Sequence, residues 1–208
     1  MEKFAILRFA ALAAVVVSIP VLAAPDFEPE ILARVKGGEV VVENLVTSNS
    51  EFRVRIRAFF PGATPDGFVK LVTNHGNMPN WIPEVKKAET LAEEEENTVF
   101  RYKAEVFIDL GILNQTLYPE GTQRITRTGI PGDDLLIRNT ITNYIDQIQG
   151  AEERTKLSPY DGGFLLDSTI EAVGRKDLPA FISGLIRKEL RTRGKRLVER
   201  SRTALARN

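Results

Sequence analysis

The chain holds one histidine and no cysteine, which narrows the chemistry open to it before any fold is considered. Without a thiol there is no cysteine nucleophile, no disulfide framework and no cysteine-ligated zinc. A Ser-His-Asp triad would have to use His75, and a zinc site ordinarily needs more than one imidazole. His75 sits in "TNHGNMPNW", a Gly- and Asn-rich segment with no GxSxG elbow nearby, and reads as an ordinary loop histidine. In "EFRVRIRAFFPG", Arg53, Arg55 and Arg57 alternate strictly with Phe52, Val54, Ile56 and Ala58. Arginines on the outer face of an antiparallel strand are usually solvated or paired with carboxylates, so the informative face is the apolar one. No residue pattern calls for a metal or another cofactor.

The elements that must position these residues begin with the leader. "MEKFAILRF" and then "AALAAVVVSIPVLAA" have the basic start, apolar run and small-residue end of a secretory signal peptide, with cleavage expected after Ala23. The run from Phe9 to Ala24 falls short of the roughly 20 residues a spanning helix needs, and Pro20 interrupts it. With no cysteine to carry a lipid, the expectation is a soluble periplasmic protein: residues 1–23 removed, 24–37 a lead-in, 38–205 the domain. The chain of 208 residues, 43% apolar, can bury a sizeable core. Its charge is uneven, with 15 basic and 24 acidic side chains over residues 24–174 against 11 and 3 over 175–208. A basic terminal helix is thus joined to an acidic body.

The lead-in "PDFEPEILARVKGGEVVVENL" is short helix or extended chain up to Gly37-Gly38, followed by the strand "EVVVEN". The arginine-alternating strand comes next, then a short helix capped by Thr64 with Pro65 at its first position and an inner stripe of Phe68, Val69, Leu71 and Val72. Pro79 and Pro83 stop it. A hairpin with an acidic tip at Glu93–Glu96 returns through "TVFRYKAEVFIDL", whose Phe100, Tyr102, Ala104, Val106 and Ile108 share one side. Further strands follow, and "YDGG" turns a last hairpin. From Asp177 the period changes: Phe181, Ile182, Leu185, Ile186, Leu190, Leu197 and Val198 recur at three and four, marking a long amphipathic helix. An α+β domain results, a strongly curved antiparallel sheet wrapping the closing helix.

"RIRAFFPGATPDGFVKLVTNHGNMPNWIPEVKKAETL", with Trp81, Pro83 and Val85 in a W-x-P-x-V loop, resembles the entry segment of the START-like (SRPBCC) superfamily of polyketide cyclases and lipid-transfer proteins. The segment from Leu157 to Arg200 is similar to that superfamily's last hairpin and C-terminal helix. The leading "GEVVVEN" strand is of a kind seen in secreted bacterial members. One departure is that a Gly-x-Trp often opening the second-to-last strand is Gly150, Ala151 and Glu152 here.

The resemblance implies a helix-grip fold with a hydrophobic cavity between sheet and helix. The lining would include Phe52, Val54, Ile56, Phe100, Tyr102, Val106, Leu135, Ile137 and Ile141, with Phe181 and Leu185 from the helix. The period that turns Ile141 inward also turns Asn139 and Asn143 inward, and a buried amide without a partner costs about 1–3 kcal/mol. Either neighbours, water or a bulge near Asn143 satisfy them, or they fix the polar head of an apolar ligand. Trp81 stands where the pocket mouth would be, as a ligand contact or as packing. A dry void of roughly 300 Å³ would cost on the order of 7 kcal/mol, so a cavity should hold ligand or water.

Two functions are compatible with this. One is a periplasmic binding or transfer protein for a lipid-like or aromatic hydrophobic small molecule, with the basic helix making transient contact with anionic membrane. The other is a cyclase or dehydratase in which Asp109, Tyr102 or Asp146 serves as acid or base. Two ionisable groups converging in the cavity would favour the second. Nucleic-acid binding is not expected, because a secreted protein rarely meets nucleic acid and the helix needs its other face for the core.

Overall fold

The computed structural model describes residues 27–46, 48, 50–96, 98–109, 114–127, 134–142, 148–174 and 180–207. The expected signal peptide, Asn143 and Asp146 lie outside them. Among the described residues no helix is long and apolar enough to cross a membrane.

The lead-in forms α1 (Pro29–Lys36), and β1 (Val41–Val46) follows. β2 (Glu51–Pro61) is the arginine-alternating strand. α2 (Pro65–Thr73) and a 3-10 turn (His75–Asn80) then carry the chain to β3 (Val85–Glu94) and β4 (Val99–Asp109). β5 (Asn114–Leu117), β6 (Glu120–Arg127), β7 (Leu135–Thr142), β8 (Ile148–Tyr160) and β9 (Gly163–Gly174) complete one antiparallel sheet in the order β1-β2-β9-β8-β7-β6-β4-β3, with β5 also paired to β4. The sheet stays open. The long helix α3 spans Ala180–Leu205.

Local chemistry sets these boundaries. Thr64 accepts a hydrogen bond from the Gly67 amide and Pro65 opens α2, as the sequence predicts. Asp161 (φ 47°) and Gly162 (φ 71°) make the tight turn between β8 and β9. Glu95 and Glu96, both at positive φ, lie at the acidic hairpin tip, where Glu95 pairs with Arg124.

The three arginines of β2 face the convex side and are paired. Arg53 meets Glu171 at 3.0 Å and Arg55 meets Asp167 at 2.6 Å. Arg57 is 2% exposed, beneath α1, and bonds Glu28 and Glu43. Here α1 adds a layer behind the sheet: Ile31 and Val35 pack on Val41, Phe59 and Leu165.

The main core lies on the concave face. Phe60 and Phe164, paired across β2 and β9, stack at 4.6 Å, and the α2 residue Phe68 meets both edge-on. Leu135, Leu157, Leu166 and Val198 fill the space around them. α3 approaches β2 so closely that a Cβ at Gly194 would lie 2.5 Å from Ile56 Cδ1. Its C-terminal half is also held by polar contacts: Arg202 donates to the Phe59 carbonyl at 2.7 Å, and Arg200 pairs with Glu84 at 2.9 Å.

Candidate functional site

Packing on the concave face is graded. At the α2 end, Phe60, Leu135, Ile137, Leu157, Phe164 and Leu166 are all buried. Toward the other end, Asn139, Ile141, Glu153 and Ile170 are only half-buried, as are Leu185, Ile186 and Leu190 on α3. Phe52 and Ala172 at this end are buried and pack with Ile186 and Leu190 of α3, so the surface left uncovered is that of Asn139, Ile141 and Glu153 on β7 and β8 and part of Ile170 on β9.

The polar groups of this face fall in one cross-strand row. Ile170, Glu153, Asn139, Gln123 and Phe100 are successive register partners on β9, β8, β7, β6 and β4. Side chains directly opposite in such a ladder have Cβ atoms about 5 Å apart, so the carboxylate and the two amides are neighbours. The buried hydroxyls of Thr155 and Ser168 sit one inward step along β8 and β9. Thr155 Oγ1 donates to Ser168 Oγ at 2.9 Å, and Ser168 Oγ donates to Glu153 Oε1 at 3.0 Å. Thr155 Oγ1 is itself 3.2 Å from that oxygen. Glu153 Oε2 has no partner among the described residues.

Tyr102 enters the row from the side. It is on β4 and its hydroxyl donates to Asn139 Oδ1 on β7 at 3.0 Å, so the ring crosses β6. Gly121, its register partner on β6, permits this, since any Cβ there would collide with the ring. On the other side the His75 imidazole stacks on Tyr102 at 4.5 Å with an interplanar angle of 14°.

His75 is therefore not the loop histidine the sequence suggested. It is fully buried, with Nδ1 2.9 Å from Thr90 Oγ1. Burial pushes its pKa down to about 4, against a smaller upward pull from the Gln123 amide. At neutral pH it is an uncharged ring and too weak a base for proton abstraction, which needs a pKa near the working pH.

Of the residues singled out from the sequence, Tyr102, Asn139 and Ile141 come together on the concave face, and Leu185 is half-buried on α3. Phe181 is in the first turn of α3, and Asn143 is outside the described residues. Trp81 ends the 3-10 turn and is buried, its Nε1 without a partner among the described residues. Gln123, Glu153, Thr155, Ser168 and His75 were not expected in this row. Periodicity held a signal for Glu153: counting back by two from Leu157 gives Thr155 and Glu153 on the inner face. Among the described residues no hydrogen bond joins two ionisable groups of this row, and no group of three or more acidic or histidine side chains could hold a metal ion.

No protein-family model matches the sequence, and no curated protein matches it. Solved structures resemble it in shape. The STAR-related lipid transfer protein from Xanthomonas axonopodis superposes with a TM-score of 0.61 at 18% identity, covering 80% of this chain and 92% of that one. Human STARD10 gives 0.60 at 10% identity, covering 80% and 68%. The Zhui aromatase/cyclase from Streptomyces sp. R1128 gives 0.54 at 13% identity, covering 74% and 96%. At such identities the likeness concerns architecture: the chain has the helix-grip fold of START-like proteins, an open antiparallel sheet curved around a long C-terminal helix.

Proposed function

We propose that the protein is a secreted, periplasmic binding or transfer protein for a lipid-like or aromatic hydrophobic small molecule, held between the concave face and the N-terminal half of α3. The observation that carries this reading is the half-buried apolar surface of Ile141 and Ile170 beside the polar row, with Leu185 and Leu190 of α3 also half-buried. Lipid transfer is named for the similar protein of Xanthomonas axonopodis, which lends the reading support by analogy of fold. A cyclase reading has the same kind of support from the Zhui enzyme. It is weakened by a histidine with a pKa of about 4 and by the lack of a hydrogen-bonded acid-base pair among the described residues.

Loading from an anionic membrane is the second part of the proposal. A groove of about 570 Å³ runs between β1 and α3, floored by Val40, Val42 and Asn44 and walled by Lys188, Arg191 and Lys195. Each such cation near an anionic surface contributes about 1 kcal/mol.

Mass spectrometry of small molecules that copurify from the native compartment tests the reading. A reproducible lipid or polyketide supports it, and a clean blank together with no uptake of Nile red refutes it. The mass of the mature N-terminus checks cleavage after Ala23, and vesicle binding that ignores anionic lipid content ends the membrane proposal.

A further inference from the structure

The Glu153–Asn139 pair limits what the guest can be. Glu153 Oε1 is fixed from beneath by Ser168 and Thr155, which leaves Oε2 as an acceptor with no partner among the described residues. Asn139 Oδ1 is taken by the Tyr102 hydroxyl, which fixes the amide and leaves its Nδ2 donors without a partner among the described residues. The two side chains are direct register partners, both half-buried on the inward face. An acceptor and a donor thus stand side by side, prepositioned on an apolar surface.

We infer that Glu153 and Asn139 select a hydrophobic ligand bearing a hydroxyl group, which donates to Glu153 and accepts from Asn139, and reject the corresponding free carboxylic acid. This rests on the binding reading above. A hydroxyl is both donor and acceptor, which matches the pair, whereas a ketone can use only the amide. An ionised carboxylate would place a second negative charge beside Glu153 in a poorly solvated site. Among the described residues, nearby cations do not offset this. Arg193 of α3 is committed to Glu189 at 2.7 Å, Arg53, Arg55 and Arg57 are on the convex face, and His75 is buried beside Tyr102.

The test is displacement of Nile red at pH 7.5 by dodecane, 1-dodecanol and dodecanoate. The expected order is 1-dodecanol about tenfold tighter than dodecanoate and several-fold tighter than dodecane, since hydrogen bonds to a charged group are the stronger kind. Glu153→Gln keeps an acceptor for Ser168 and removes the charge; dodecanoate should then come within about threefold of the alcohol. Glu153→Leu should cut the alcohol's advantage over dodecane to what the Asn139 bond alone supplies and leave dodecane at least as tight. Dodecanoate binding wild type as tightly as the alcohol, or an alcohol advantage that Glu153→Leu does not diminish, overturns the inference while binding itself stands. Failure of Nile red and all three compounds to bind would remove the binding reading and this inference with it.

Discussion

The hydroxyl of Tyr102 reaches Asn139 across the full width of β6, passing over Gly121. Three strands are thereby tied by one side chain, and the tie depends on a missing Cβ. Gly121→Val should displace the ring and cost about 2–3 kcal/mol, the cost of overpacking, whereas Tyr102→Phe should cost about 1 kcal/mol, the worth of one hydrogen bond. Urea denaturation of the two variants checks the order. Equal costs would mean that the ring does not need that space.

Acid should weaken the fold through His75. Its pKa is about 4 in the folded protein, below the ordinary 6.5, so between these values the unfolded chain takes up a proton that the fold excludes. Stability is full above pH 6.5 and falls as pH drops toward 4, by on the order of 3 kcal/mol. Glu39, Glu89 and Glu152, held low by hydrogen bonds from Arg34, Lys103 and Arg138, titrate below most of that window. His75→Phe preserves an aromatic stack on Tyr102 and should flatten the decline between pH 6.5 and 4.5 in chemical denaturation. An unchanged slope would assign the decline elsewhere.

Arginine burial along β2 predicts a graded series. Arg53→Ala, at a side chain 47% exposed, should change stability by less than about 0.5 kcal/mol, while Arg55→Ala should cost about 1 kcal/mol. Arg57→Ala should cost about 3 kcal/mol, because it leaves a gap beneath α1 and two carboxylates without their shared cation. Hydrogen exchange should show α1 loosened in that variant alone. A flat series would mean that burial under α1 contributes little.

The contact of α3 with β2 predicts a coupling of known sign. Gly194→Ala gains about 1 kcal/mol of helix propensity but drives its new methyl into Ile56 Cδ1. In an Ile56→Val background, which removes that atom, the same substitution should be more favourable by about 1 kcal/mol. The double-mutant cycle measures it, and additive effects would contradict the close approach.

Most of the fold was legible because strands with one buried face write a period of two. The Phe52-Val54-Ile56 face, the Thr64 cap and the turn at Asp161 all followed from local rules. The polar row was less legible. Asn139 could be found from its parity on β7, but Glu153 gains meaning only when β7 and β8 are placed side by side, and no local rule gives their register. His75 looks like a loop residue because its sequence neighbours are turn formers, whereas its burial comes from Tyr102 and Thr90 on later strands. The lead-in folds as the helix α1, and its role depends on Phe59, an aromatic on the convex side that α1 and Tyr160 cover.

The stacked phenylalanines at the α2 end have a consequence for how this protein can change. Phe60, Phe164 and Phe68 concentrate cohesion away from the half-buried surface around Ile141 and Leu185. Substitutions at that surface therefore remove few contacts from the part that keeps the chain folded. Such a division of labour lets side chains at one end vary while the other end stays constant.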